Sequence, residues 1–224
     1  MISGPTASGK STLVNKLANK FHLPVIRKSQ LLEQAASIIL RTPVHPDFIK
    51  NFSVTQIQSI YDEANKYLQA RLKNPVIHLI DDHLCVLVEQ ATIWKRAPID
   101  YISTHQVGWG FVLNPTQTQI FRNYNSDETK GSRQRNKFDI NFFTEEIAIL
   151  FDILKDWEKK GIIYLIDIKN ISNFLKKLHL FLGSEKITPI FILNQLNFQD
   201  MYSITKHIIS KVLELFKRGI KTNG

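Results

Sequence analysis

The chain contains a single cysteine, Cys85, among its 224 residues. One thiol cannot form an intramolecular disulfide, and it excludes a zinc site built from several cysteines. The sequence also lacks an apolar run of the roughly 18–20 residues that cross a bilayer, and it begins without the charged and apolar regions of a signal peptide. These absences, together with a cysteine usage that fits a reducing compartment, predict a soluble, cytoplasmic protein without a membrane partner.

Acidic residues are the scarcer charge, with 20 Asp and Glu against 29 Lys and Arg, which gives a net charge of +9. This balance favours polyanionic partners, either nucleotide phosphates or nucleic acid, without choosing between them. Hydrophobic residues make up 43% of the chain and charged residues 22%, which is typical of a folded globular protein. The length is that of one domain, or of one domain with an appendage.

Glycine is sparse as well, with nine in the chain, yet two of them frame a motif near the start. Residues 4–11 read Gly-Pro-Thr-Ala-Ser-Gly-Lys-Ser and match the P-loop pattern G-x-x-x-x-G-K-[ST]. Glycines let the backbone curl so that its N–H groups face phosphate oxygens, the lysine contacts the β- and γ-phosphates, and the hydroxyl at the last position ligates Mg²⁺. A helical pattern follows directly and adds the positive end of its dipole. We therefore expect ATP and Mg²⁺ to bind at Gly4, Pro5, Thr6, Ala7, Ser8, Gly9, Lys10, Ser11 and Thr12.

Short apolar runs alternate with amphipathic segments along the chain. This order predicts a three-layer α/β/α fold of the P-loop NTPase type, with a central parallel sheet and a ligand crevice at the carboxyl ends of its strands. The run over residues 76–80 ends in Asp81, Asp82 and His83, as expected for a buried parallel strand with acidic residues at its end. Asp81 and Asp82 are candidate Mg²⁺ ligands beside Ser11; the alternative is that they cap nearby N–H groups.

Other elements follow from periodicity and capping signals. Helices are predicted over residues 30–40 behind Ser29, over residues 54–72 behind Ser53, over residues 84–94, and over residues 144–160 from Thr144 to a stop at Gly161. Residues 101–105 are predicted as a loop or a short strand. Residues 162–166 are predicted as the last buried strand of the main domain, followed by a helix over residues 173–182.

A polar segment over residues 125–139 carries several basic residues and is predicted to be a mobile loop, within a lid of about residues 122–140. Arg122, Arg133 and Arg135 are the candidate cations for the migrating phosphoryl group, because a guanidinium bridges two phosphate oxygens. The alternative is a solvated basic loop. Lys10, Asp81 and these three arginines form the predicted catalytic set.

The final segment is predicted to be an addition to a main domain of residues 1–183. Residues 184–224 contain an apolar run over 190–193 that fits an extra strand, and a helical pattern over 202–216 with a solvated basic face. We expect this segment to pack on the core as a C-terminal helical extension, with a frayed tail from residue 217 onward.

Three segments resemble the nucleoside monophosphate kinase group, most nearly the archaeal-type adenylate kinases. They are residues 4–12, the strand end at 80–83 with its Asp-x-His pattern, and Asn114-Pro115 followed by a helical stretch and the Arg-x-Arg pair at 133–135. The resemblance implies transfer of the γ-phosphoryl group of ATP to a nucleotide or a nucleoside-like small acceptor. It also implies lid arginines over the phosphates and a base-contacting loop at Asn170.

The sequence of residues 4–11 also resembles the P-loop of tRNA dimethylallyltransferases. Those enzymes carry a carboxylate after their second strand, whereas this chain has Arg27, Lys28 and Ser29 there. A nucleic-acid-linked P-loop ATPase or GTPase, or a tRNA-modifying transferase, therefore stays as the alternative to the small-molecule kinase.

Overall fold

The computed structural model describes residues 1–44, 51–74, 76–88, 93–129, 140–170 and 187–222. The strands are β1 (Ile2–Ser3), β2 (Val25–Arg27), β3 (Leu79–Asp81), β4 (Cys85–Val88), β5 (Ile93–Arg96), β6 (Gly110–Asn114), β7 (Ile163–Ile168) and β8 (Thr188–Asn194). The helices are α1 (Lys10–Phe21), α2 (Lys28–Leu40), α3 (Val54–Leu72), α4 (Tyr101–Thr104), α5 (Gln117–Thr129), α6 (Ile140–Lys159) and α7 (Phe198–Thr222).

Six strands form one parallel sheet in the order β2-β3-β1-β6-β8-β7. The shortest of them, β1, lies inside the sheet, with Ile2 opposite Asp81 of β3 and Ser3 opposite Val112 of β6. All six strands run in the same direction, so their carboxyl ends meet at one edge. The predicted parallel α/β sheet is confirmed, and β1 leads directly into the 4–11 loop at that edge.

Alternating side chains of the strands face two separate cores. On one face, Ile80 and Val112 pack with apolar residues of α2, α3 and α6. On the other face, Leu79 and Phe111 pack with α1 and α7. This alternation follows from the two-residue period of a strand that is buried on both sides, and it places helices on both faces of the sheet.

The strand β8 belongs to the sheet and is not part of a peripheral extension. It pairs with β6 from Gly110 opposite Ile190 to Asn114 opposite Asn194, and with β7 on its other side. The strand predicted over residues 190–193 is confirmed as part of β8, which lies inside the sheet, so that β7 is the edge strand. The residues of β8 from Pro189 to Leu193 are all buried, as expected for a strand with neighbours on both sides. The predicted boundary at 183/184 lies outside the described residues.

The predicted helix over residues 84–94 is wrong. Cys85 pairs with Arg96 and Val88 with Ile93 in the antiparallel β4–β5 ladder, because the β-branched and aromatic side chains of both segments favour strands over a helix. Residues 101–105 show the opposite error: a loop or strand was expected, and α4 is found, with the Thr104 N–H donating to the Asp100 carbonyl at 2.8 Å.

Helix starts were predicted with mixed success. Ser53 caps α3 as expected, in a reciprocal capping box with Gln56. Ser29 is not a cap, since α2 begins one residue earlier and Arg27 holds the cap position without a side-chain bond. Thr144 does not start α6; its hydroxyl donates to the Ile140 carbonyl at 2.9 Å within the helix. Gly161 ends α6 in a left-handed conformation, φ +70°, as predicted.

Three further predictions concern residues at or beyond the ends of the described segments. The first part of the predicted lid is helical, since α5 continues to Thr129. The rest of the lid, residues 130–139, lies outside the described residues. The predicted helix over residues 173–182 lies outside them as well. The expected tail from residue 217 is helical to Thr222. Within the described parts of the chain, no helix combines the length and the apolar character needed to span a membrane.

Candidate functional site

The 4–11 loop leaves the sheet centre with three residues in positive-φ conformations, Gly4 (φ +151°), Ala7 (φ +59°) and Gly9 (φ +88°). The Ser8 N–H donates to the Pro5 carbonyl at 3.2 Å, which tightens the turn. The Ser8 hydroxyl is buried and has no hydrogen-bond partner among the described residues. A curled backbone followed by a helix start presents N–H groups to an anion, so the loop fits a phosphate group on its own geometry.

Lys10 is the first residue of α1, and its side chain is buried although the sequence placed it on an open loop. Its Nζ lies 3.0 Å from Nε2 of His83. An ammonium group has no lone pair and can only donate, so Nε2 accepts and a neutral His83 carries its proton on Nδ1. The loop lysine is therefore already at the carboxyl edge of β3.

Ser11, in the first turn of α1, contacts Asp81 at the end of β3. The Ser11 hydroxyl donates to Oδ2 of Asp81 at 3.1 Å, because β1 and β3 are paired with Ile2 opposite Asp81. A hydroxyl and a carboxylate are the hard oxygen ligands that Mg²⁺ prefers, and Mg²⁺ keeps several waters besides one or two protein ligands. These two residues fit a magnesium ion. No group of three or more His, Cys, Asp or Glu side chains in the described part of the chain is arranged as a metal site.

Asp82 points away from this pair. Its Oδ1 accepts from the His83 N–H at 2.7 Å, and its Oδ2 accepts from the Tyr101 hydroxyl. Burial raises the pKa of Asp82, and the Lys28 ammonium opposes that shift. The structure thus brings Asp81, and not Asp82, to Ser11, and Asp82 is used as a hydrogen-bond acceptor, which was the alternative left open for the pair.

Asp82 joins a buried polar cluster between α2, α3 and α4. The Lys28 ammonium donates to Oδ1 of Asn65 at 2.6 Å and to Nε2 of His105 at 3.1 Å, and Nδ1 of His105 lies 2.9 Å from the Tyr101 carbonyl. Because Lys28 occupies Nε2 as a donor, the His105 proton must be on Nδ1, donating to that carbonyl. Burial, with the Lys28 charge, lowers the pKa of His105 to about 4, and burial lowers that of Lys28.

The neutral state of His105 predicts a pH-dependent stability. A histidine whose pKa falls from 6.5 to about 4 on folding stays unprotonated while the unfolded chain takes up a proton. The free energy of unfolding should therefore fall as the pH drops from about 6.5 to about 4, by about 3 kcal/mol at about 1.4 kcal/mol per pH unit. Urea unfolding across this range measures it.

The variant His105→Gln isolates this contribution from the charged groups that act on the ring, Lys28 and Asp100. Its unfolding free energy should change less with pH than that of the unmodified protein, whereas Ser59→Ala, at an exposed position on α3 without a titrating group, should leave the slope unchanged. Equal slopes for His105→Gln and the unmodified protein would contradict the assignment.

A carboxylate from a distant helix also contacts the loop, and the sequence analysis did not single it out. The Thr6 N–H donates to Oε1 and Oε2 of Glu146 at 3.1 and 3.0 Å, and the Thr6 hydroxyl donates to Oε1 at 3.2 Å. Oε1 also lies 3.7 Å from Nδ1 of His83. Glu146 is buried on α6. The signal that could have found it is its position in the apolar row of that helix, between Phe143 and Leu150.

The helix α5 contacts the loop through a residue next to the predicted one. Asn123 donates from Nδ2 to the Ala7 carbonyl at 2.8 Å. Arg122 is exposed, and it forms no ion pair with a described carboxylate. Arg133 and Arg135 lie outside the described residues. The structure therefore places α5 at the loop through Asn123.

The remaining candidate, Asn170, is exposed just beyond β7. Since β6 and β8 separate β7 from β1, Asn170 follows the strand that lies farthest from β1 on that side. Between them, Asn194 accepts from Asn114 at 2.6 Å and donates to Asp167. This bonded row of polar side chains at the carboxyl ends of β6, β8 and β7 continues the edge that begins at the 4–11 loop.

Cys85 does not behave as a reactive thiol. It is buried at the start of β4, and its Sγ lies 3.6 Å from the Glu146 carbonyl, which accepts its hydrogen bond. Burial, reinforced by the negative charge of Glu146, raises the pKa of the thiol to about 12. The thiolate is the nucleophilic form, so Cys85 serves packing.

Comparison of the chain with models of protein families and with curated proteins finds no match. The chemistry of the site must therefore be argued from its own residues.

Proposed function

We propose that the protein is an ATP-dependent phosphotransferase with a P-loop type fold, which transfers the γ-phosphoryl group of ATP to a nucleotide or a nucleoside-like small acceptor. The observation that supports the proposal is the 3.1 Å hydrogen bond from Ser11, in the first turn of α1, to Asp81, the last residue of β3. A hydroxyl and a carboxylate side by side, next to a curled loop and a lysine, support this proposal, because P-loop proteins use these groups to bind a magnesium nucleotide.

Each described group has a distinct task in the proposed reaction. Backbone N–H groups of the 4–11 loop and the start of α1 bind phosphate oxygens, and Lys10 neutralises charge on the β- and γ-phosphates. Ser11 and Asp81 would hold Mg²⁺, which supplies further charge neutralisation when bound. Arg122, Arg133 and Arg135 stay candidates for closure over the phosphates. Because phosphoryl transfer depends mainly on positioning and charge, these groups suffice for nucleotide binding and activation.

The metal pair predicts a specific defect. Ser11→Ala should raise the Mg²⁺ concentration for half-maximal turnover about 10-fold, since it removes one of two protein ligands. Mutation of residues that hydrogen-bond to metal ligands lowers metal affinity by a similar factor. Magnesium titrations of ATP turnover measure it. Ser59→Ala, an exposed serine of α3, is the matched control. A Ser11→Ala enzyme with an unchanged magnesium requirement would remove Ser11 from the metal site.

The net charge of +9 is also compatible with the alternative function, a nucleic-acid-linked P-loop ATPase or GTPase, or a tRNA-modifying transferase. A carboxylate after β2 is what the resemblance to dimethylallyltransferases requires, and Lys28 stands at that place with its ammonium bonded to Asn65 and His105. This arrangement favours the kinase over the dimethylallyltransferase.

The deciding experiment compares binding and transfer. Titration calorimetry with MgATP and MgGTP tests the loop, and radiolabelled ATP then tests transfer to nucleosides, to mononucleotides and to a polynucleotide. We expect MgATP binding and labelled small-molecule product. Turnover that appears only with the polynucleotide would replace the proposal by the alternative, and absence of any nucleotide binding would refute both.

A further inference from the structure

Glu146 is a buried carboxylate, and no lysine or arginine in the described part of the chain pairs with it. Its side chain is 3% exposed, and within the described residues its contacts are Thr6 and the His83 ring. Burying a carboxylate without a cation is unfavourable unless donors compensate. Here the Thr6 N–H and hydroxyl compensate in part, and they fix the carboxylate against a loop whose proposed ligand is itself an anion.

The imidazole ring of His83 lies between Lys10 and Glu146. Lys10 Nζ lies 3.0 Å from Nε2 of His83, and Glu146 Oε1 lies 3.7 Å from Nδ1. In the proposed reaction Lys10 lies at the β- and γ-phosphates, so Glu146 is on the side of the loop that the γ-phosphoryl group faces. Among the described residues, Oε2 of Glu146 accepts only the Thr6 N–H, which it shares with Oε1, and a carboxylate oxygen can accept a further donor.

The two classes of acceptor differ in what they need from this position. A nucleoside monophosphate attacks through a phosphate oxygen that is already ionised, so it needs cations and no base, and a fixed carboxylate repels it. A hydroxyl acceptor must lose a proton as it attacks, and kinases that phosphorylate hydroxyl groups use a carboxylate for this purpose. Glu146 is favourable for the second class and unfavourable for the first.

We propose that Glu146 accepts the proton of a hydroxyl-bearing acceptor, and that the enzyme phosphorylates an alcohol group of a nucleoside-like substrate and not a nucleoside monophosphate. This inference rests on the proposed function. The acceptor oxygen forms a bond to the γ-phosphorus while the bond from that phosphorus to the β–γ bridging oxygen breaks. ADP leaves with the electron pair, the acceptor proton moves to a Glu146 oxygen, and it passes from there to solvent after release of the product.

The test begins with the unmodified protein. MgATP binding is measured by calorimetry, and labelled transfer is then compared between the common ribo- and deoxyribonucleosides and their monophosphates at equal concentration. We expect transfer to at least one nucleoside and at least about 10-fold less to its monophosphate. If MgATP binds normally but only monophosphates are labelled, or neither set is, the hydroxyl assignment is overturned while the nucleotide site stands. If MgATP does not bind, the proposed function itself fails and the inference falls with it.

Variants then test the role of the residue. Glu146→Gln keeps an oxygen for the Thr6 N–H but cannot take up a proton, so kcat for the nucleoside should fall about 10²-fold or more, with MgATP affinity unchanged within about threefold. Glu145→Gln, at the exposed neighbouring position on α6, is the matched control and should retain full kcat. Glu146→Asp, which keeps the carboxylate, should recover part of the lost kcat.

A purely structural role would give a different pattern. Glu146→Gln and Glu146→Asp would then lower thermal stability and MgATP affinity together, with kcat in proportion to the folded fraction. That pattern, or a Glu146→Gln enzyme as active as Glu145→Gln, would overturn the assignment.

Discussion

Replacing Lys10 by alanine should lower ATP turnover by at least about 10²-fold, because it removes the ammonium group that neutralises charge on the transferred phosphoryl group. The side chain is 6% exposed and ends 3.0 Å from His83, so it is already at the position where the phosphates of the nucleotide are expected. Steady-state kinetics with the acceptor that the labelled-transfer experiment identifies measure the effect.

The fold should survive this substitution. Lys10 begins α1, where alanine is a good helix former, and the apolar residues that anchor the helix, Leu13, Val14 and Leu17, are untouched. The melting temperature should therefore shift by only a few degrees. Lys20→Ala, an exposed lysine in the last turn of the same helix, should keep full turnover. If Lys10→Ala turned over ATP as fast as Lys20→Ala, the proposed mechanism would be wrong.

The parts of the site that could be predicted from sequence are those that depend on short stretches of chain. The 4–11 loop and α1 are adjacent in sequence, and a glycine-framed loop before a helical pattern carries its own geometry. Asp81 was found because an apolar run that ends in a carboxylate implies a strand with its carboxyl end at the ligand edge. The bond from Ser11 to Asp81 then required only that β1 and β3 be neighbours.

The parts that were missed depend on contacts between distant residues. Glu146 is 140 residues from Thr6 in the sequence, and only the packing of α6 against the sheet brings them together. The position of β8 between β6 and β7 likewise depends on the strand order of the sheet, which the periodicity of the sequence cannot predict. The hairpin of β4 and β5 was predicted as a helix because short apolar runs fit both periods, and the antiparallel partner that decides between them is another segment.

The 4–11 loop should also be sensitive to a substitution at Gly4, which changes no charge. Gly4 follows β1 at φ +151°, and a Cβ there would lie 2.8 Å from the Leu113 carbonyl oxygen and 3.0 Å from Leu113 Cβ. The nearest of these atoms is backbone of the neighbouring strand β6, so neither a rotamer change nor a small side-chain shift relieves the clash. Gly4→Ala should therefore lower the free energy of unfolding by about 3 kcal/mol or more, from the strained backbone conformation and the overpacking together.

Gly108→Ala is the matched control for this prediction, since a Cβ at Gly108 meets nothing within 4 Å and its φ is not in the positive region. Its unfolding free energy should stay within about 0.5 kcal/mol of the unmodified protein. Urea unfolding of the two variants measures the difference, and MgATP calorimetry on the folded fraction of Gly4→Ala should also show weakened binding, because the clash displaces the first residue of the loop. Equal stability of the two variants would mean that β1 and β6 do not approach as closely at Leu113 as the sheet requires, and the position of the 4–11 loop at the sheet centre would then have to be revised.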